Sequence, residues 1–239
     1  MTHLLGVVLL LATTAAQATP AKVVIIGVDG VSLNLLEPYV KAGVTPNMGR
    51  MLQEGARGDL SSIWPLRTPQ VWTTAVTGKY PGQHGIWDHL SNTYFNPPPY
   101  RTKAKKRVTT RHRQSKALWN IAAEKNISTL SVGWMATWPA ENISGSVLVA
   151  PIELQGDKRQ TTIKGSFYRD APNMVMPKHY ESSVRKLIVE ASDLSASDME
   201  PFAKMPEESS LLYRLPYLKR YVYGLKWSLA RARSVENIT

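Results

Sequence analysis

The chain contains no cysteine. Disulfides and thiolate-held metals are therefore excluded, and any bound cation must be held by carboxylate, hydroxyl or imidazole groups. Acidic side chains are also in short supply, 18 against 29 lysines and arginines, which leaves a formal net charge of +11. A partner that is itself cationic is disfavoured; an anionic substrate or surface suits the balance. Past the first dozen residues no apolar run is long enough to cross a bilayer. What is present is apolar matter for one sizeable core, 43% of 239 residues, and nothing in the composition suggests disorder.

The opening MTHLLGVVLLLATTAAQA has an apolar run over residues 4–12, then Ala16 and Ala18 in the A-x-A spacing of a secretory cleavage site. Residues 1–18 read as a signal peptide, and the mature chain as exported to a periplasm or to the outside. The run is too short to make a stable membrane span.

KVVIIGVDG follows. Residues 23–28 form a continuous apolar, β-branched run, the pattern of a central parallel strand buried on both faces. Ligand-binding residues in such sheets collect at the carboxyl ends of strands, where Asp29 stands. Residues 33–41 read as a helix. Thr45-Pro46-Asn47 opens a second helix that runs to Glu54 and stops at Gly55, and residues 57–63 read as the next strand.

The stretch WPLRTPQVWTTAVTGKYPGQHGI, residues 64–86, carries the chemistry. Thr68, followed by Pro69 and a helical run to Thr77 closed by Gly78, is expected at an N-cap. A hydroxyl there lies at the positive end of a helix, which favours its alkoxide; a bound divalent cation would favour it further. The amides of Gln70 and Val71 are expected to face an anion bound at that helix end.

Further on, a basic loop spans residues 94–114, with Arg101, Lys103, Lys105, Lys106, Arg107, Arg111 and Arg113 and no acid among them. It reads as a solvated insertion, or as an electropositive lip for phosphate-bearing partners. Residues 115–125 read as a helix with Ala117, Leu118, Ile121 and Ala122 on its sheet-facing side, before strands near 127–133 and 147–150. Trp134, Trp138, Pro139 and Glu141 follow the first of these strands and are candidates to line a pocket. The pattern weakens over residues 151–176, a possible inserted subdomain. Helices are then expected over 179–188, 195–204 and 211–238. Alternating strands and helices argue for an α/β fold with a mostly parallel central sheet flanked by helices.

The ordered set KVVIIGVDG, Thr45-Pro46-Asn47-Met48 to Glu54-Gly55-Ala56, the Arg67-Thr68-Pro69 helix start, and Thr77-Gly78-Lys79-Tyr80-Pro81 to His84-Gly85-Ile86 resembles the N-terminal half of one enzyme group. This is the type I phosphodiesterase/nucleotide pyrophosphatase group of the alkaline phosphatase superfamily. The resemblance covers residues 22–239 and implies an alkaline-phosphatase-like fold and hydrolysis of phosphate esters of small molecules with two divalent ions, usually zinc. It also implies that Asp29 is a metal ligand and that Thr68 is both nucleophile and ligand. The family position that binds a phosphoryl oxygen, often asparagine, falls on His89. Aspartates and histidines of the second ligand set lie well beyond the nucleophile in that family, and no matching pair follows the last helix. The reading is thus of a chain truncated at its C-terminus and inactive by itself. Two alternatives stand beside it: a phosphomonoesterase or sulfatase-like hydrolase on the same fold, which the threonine disfavours, and a non-catalytic basic module for nucleic acid or another polyanion.

Overall fold

The computed structural model describes residues 22–89, 107–151, 167–202 and 216–239. The expected signal peptide at 1–18, most of the basic loop and most of the 151–176 segment lie outside the described residues. The chain divides into two units, Met1–Gly58 and Asp59–Thr239.

In the first unit, α1 spans Leu33–Lys41 and α2 Pro46–Glu54. Ser32 caps α1, its hydroxyl accepting from the Leu35 amide at 3.3 Å. Pro46 opens α2, where a missing N–H costs nothing, and Gly55 follows its last turn. Both helices match the sequence expectation. They approach closely at Gly49, where an added Cβ would come within 3.2 Å of Val40 Cγ1. Arg57 reaches back to Glu37 at 3.5 Å. Between the helices runs an open apolar groove lined by Leu33, Leu36, Met48, Met51 and Leu52.

Residues 23–28 do not form the expected strand. They make no ladder, and Val23, Val24 and Ile26 are 82%, 81% and 74% exposed. β-Branched residues favour a strand only where a neighbouring strand and a packed face receive them, and among the described residues neither is present. The expected strand at 57–63 is likewise absent.

The second unit is built on a three-stranded sheet of β1 (Thr129–Val132), β2 (Ser146–Val149) and β3 (Val175–Met176). β1 and β2 are parallel, Thr129 opposite Ser146, whereas β2 and β3 are antiparallel, Val149 opposite Val175. The described sheet is thus small and mixed where a mostly parallel one was expected. β2 is its buried centre. Leu148 packs with Val76, Ala117, Trp119 and Ala140 on one side, and Val149 with Phe167, Met174, Val184 and Ile188 on the other. That period-2 alternation sandwiches the sheet between helices. On the Leu148 side lie α3 (Thr68–Thr77) and α5 (Leu118–Glu124). On the Val149 side lie α6 (Glu181–Leu187) and α7 (Pro216–Ile238). The short α4 (Pro81–His84) follows α3.

Two helical expectations change. α5 buries Trp119, with its N-cap Ala117 buried beside it, and leaves Leu118 and Ile121 44% and 43% exposed, because the helix starts at Leu118 and turns its tryptophan inward. Residues 195–202 form turns, not a helix: the Ser195 hydroxyl donates to Asp198 Oδ2 at 2.6 Å, and that local bond competes with helix bonds. α7 is anchored by Ser234, fully buried, which accepts from the Val189 amide at 2.8 Å, and by Arg231, which donates to the Gly133 carbonyl at 2.9 Å. Among the described residues no helix is long and apolar enough to cross a membrane.

Candidate active site

α3 carries the hydroxyl that the sequence singles out. Its core-facing positions are Pro69, Gln70, Thr73, Val76 and Thr77, all buried, at the spacing of one helical face. Two of these threonines are reconciled with burial by bonding back along the helix. Thr73 Oγ1 donates to the Pro69 carbonyl and Thr77 Oγ1 to the Thr73 carbonyl, each at 2.7 Å. The helix ends on Gly78 at φ 62°, a left-handed position that suits glycine.

Thr68 is the first residue of the helix and Arg67 its cap, one position from expectation. Pro69 therefore occupies the second helical position. Thr68 is half-buried, and its hydroxyl makes no hydrogen bond to a described residue. It keeps its place at the positive end of the helix.

The expectation about the amides is corrected. The Val71 amide donates to the Arg67 carbonyl at 3.0 Å, and Gln70 is fully buried. Neither is open to an incoming oxygen.

Asp29 stands after the apolar run in an Asp-Gly turn, with Gly30 at φ 73°. It is exposed, with no ion-pair partner among the described residues. Asp29 belongs to the first unit and Thr68 to the second. His89 is half-buried. Its amide donates to Asp88 Oδ1 at 2.7 Å and its carbonyl accepts from Val108 at 2.9 Å, so its backbone is tied from both sides.

His84 is a structural residue. It is fully buried, its Nδ1 accepts from the Ile86 amide at 3.1 Å, and its Nε2 lies 3.0 Å from Thr74 Oγ1. Because Nδ1 accepts, the proton sits on Nε2 and is donated to Thr74. Burial pushes the imidazole pKa down to about 4, against a smaller upward pull from backbone hydrogen bonding. Both nitrogens are spent, and the ring is no metal ligand.

Glu141 gathers a second polar cluster. Its Oε2 accepts from Arg113 Nη2 at 2.7 Å and Trp119 Nε1 at 2.9 Å, and its Oε1 from Asn120 Nδ2 at 3.3 Å. Burial alone raises the carboxyl pKa; the bonds from Arg113, Trp119 and Asn120 outweigh it and bring the pKa below the ordinary value. Arg113, expected on a solvated basic loop, has a side chain only 6% exposed and lies 5.4 Å over the Trp119 ring. It is a buried tie, not part of a lip.

The tryptophans after β1 are also packed. Trp134 donates to the Trp72 carbonyl at 3.1 Å and meets the Trp72 ring edge-on at 4.7 Å, and Trp138 donates to the Pro172 carbonyl at 2.8 Å.

Asp29, in the first unit, and Thr68, in the second, each offer an oxygen that no described residue occupies, a kind of donor that suits a divalent cation, and a four-coordinate ion needs more donors than either supplies. Among the described residues no three histidine, aspartate or glutamate side chains come together. The sequence reading uses Gln70 only through its amide and misses its side chain. The signal is available: Gln70 falls on the face shared by Thr73 and Thr77, where a polar residue must find a partner.

Searches of curated proteins and of solved structures each found no match. The family described as Type I phosphodiesterase / nucleotide pyrophosphatase does match, over residues 23–213. That span holds Asp29, Thr68 and His89 and covers most of the 239 residues, and the chain belongs to this family of hydrolases.

Proposed function

We propose that the chain is a metal-dependent hydrolase of phosphate diesters or pyrophosphates that uses Thr68 as its nucleophile. The observation that carries this reading is Thr68 itself: a hydroxyl at the head of α3, without a partner among the described residues, inside the family match. Asp29 and Thr68 would hold a divalent ion of the zinc type, which when bound lowers the pKa of a hydroxyl and neutralises phosphate charge.

The residues' own steps follow from their chemistry. The Thr68 oxygen attacks phosphorus in line with the leaving ester oxygen. A phosphorus–oxygen bond to Thr68 forms, the bond to the leaving group breaks, and the hydroxyl proton passes to solvent water, from which the leaving oxygen can be protonated. Water then attacks the threonine-bound phosphoryl group, which still carries the second ester substituent; the phosphomonoester leaves, and a proton from that water restores the hydroxyl. The α3 dipole favours the alkoxide and the anionic phosphoryl group, and the Thr68 amide, which bonds to no described carbonyl, is the available donor of that turn. Pro69 has none to give. His89 is proposed as the contact to a phosphoryl oxygen.

The test is release of p-nitrophenolate from bis(p-nitrophenyl) phosphate with added zinc, together with mass spectrometry of acid-quenched protein. Against the inactivity that the sequence suggests, turnover with a p-nitrophenyl phosphoryl adduct on Thr68 is expected, and Thr68→Ala should lower the rate by at least about a thousandfold. Hydrolysis by Thr68→Ala at the wild-type rate overturns the assignment. The excess of positive charge favours one second reading, a basic module for polyanions. Under it, binding of single-stranded DNA falls steeply with salt and is indifferent to chelator.

A further inference from the structure

We propose that Gln70 is a positioning residue for Thr68, an inference that rests on Thr68 being the nucleophile. The Gln70 side chain is fully buried, two residues into α3 from Thr68. Its Nε2 donates to the carbonyl of Pro65 at 3.0 Å. That bond closes the loop from Pro65 to Gln70 around Leu66, Arg67 and Thr68 and ties down the turn through which the chain enters the helix.

The second half of the argument is energetic. Gln70 Oε1 is buried and has no hydrogen-bond partner among the described residues. An unsatisfied buried carbonyl oxygen costs at least as much as the net gain from the one bond its amide group makes. An apolar side chain of similar volume would serve the fold at least as well. Glutamine at this position therefore sacrifices stability for something stability does not require, and the group it holds is the Pro65 carbonyl, three residues before the nucleophile. Departures from local optimality of this kind are expected where function is served. A misplacement of the attacking oxygen by about an ångström lowers rates by about a hundredfold, so a single bond on this turn has leverage on chemistry and little on binding.

The test uses the full chain carrying Gln70→Met, which keeps volume and removes both the donor and the unpaired acceptor. Three quantities are read: the thermal midpoint, amide hydrogen exchange at Leu66, Arg67 and Thr68, and zinc-dependent hydrolysis of bis(p-nitrophenyl) phosphate. The expected result is an unchanged or higher midpoint, exchange about tenfold faster across the turn, and kcat lower by about ten- to a hundredfold with KM within about threefold. Gln70→Leu is the substitute if the methionine variant fails to fold by circular dichroism. A kcat within about twofold of wild type overturns the proposal, and so does a fall in midpoint that accompanies the loss of turnover, because the residue is then structural. These outcomes leave the hydrolase reading intact. Wild-type protein that releases no p-nitrophenolate overturns that reading, and this proposal with it.

Discussion

His84 shows how one side chain can fix a local fold and set its pH limit. The unfolded chain takes up a proton on this imidazole near pH 6.5, whereas the folded chain resists it down to about pH 4. The folded form thus binds fewer protons across that window, and stability rises with pH through it. The contribution is complete above about pH 6.5 and is lost as pH falls toward 4, a difference of up to about 3 kcal/mol. Urea titrations between pH 7.5 and 4 should show this slope. His84→Gln should be less stable at pH 7 by about 1–3 kcal/mol, from bonds lost to Thr74 and Ile86, and should show a shallower slope below pH 6.5. A variant that keeps the wild-type slope would assign the titration elsewhere. Glu141 argues similarly. Glu141→Gln leaves the Arg113 guanidinium buried without its carboxylate, and a loss of about 3–5 kcal/mol is expected from chemical unfolding.

At the scale of elements, the two glycines that end α3 and α4 share a left-handed φ but not their surroundings. Gly78, at φ +62°, has nothing within 4 Å of an added Cβ, whereas at Gly85, φ +78°, the Cβ would fall 2.9 Å from the His112 carbonyl oxygen and 3.0 Å from the Gln114 side chain. Gly78→Ala should cost about 1 kcal/mol, the conformational term alone. Gly85→Ala should cost at least about 2 kcal/mol more, because backbone must move; equal thermal midpoints would refute the distinction. The same elements show what the chain's pattern makes legible. α1 and α2 are readable to the residue because serine, proline and glycine punctuate them chemically, and α3 is readable to within one. The run at 23–28 and the strand expected at 57–63 are not, since a strand exists only through a partner that no local pattern names. At the candidate site, Thr68 is readable from its proline and its helix. The buried ties of Arg113 to Glu141 and of Gln70 to Pro65 span tertiary contacts or a turn, and periodicity is silent about both.

For the whole molecule, the two units differ in what they can bury. The unit from Asp59 onward contains three apolar clusters. Expressed from Asp59, it should give one cooperative thermal transition with near-native tryptophan fluorescence. Over residues 22–58 only Gly49 is buried, and helices of nine residues do not persist in water without a packed face. A synthetic peptide of that span should show little helix by circular dichroism, and a strong helical signal at micromolar concentration would refute this.

The bare aliphatic run at residues 23–28 has a practical consequence. Exposed over most of its surface and rich in valine and isoleucine, it is a ready seed for stacking between molecules, because uncommitted backbone beside greasy side chains invites cross-β growth. Purified protein should therefore turn cloudy above a threshold concentration, and Val24→Lys should raise that threshold severalfold in light scattering.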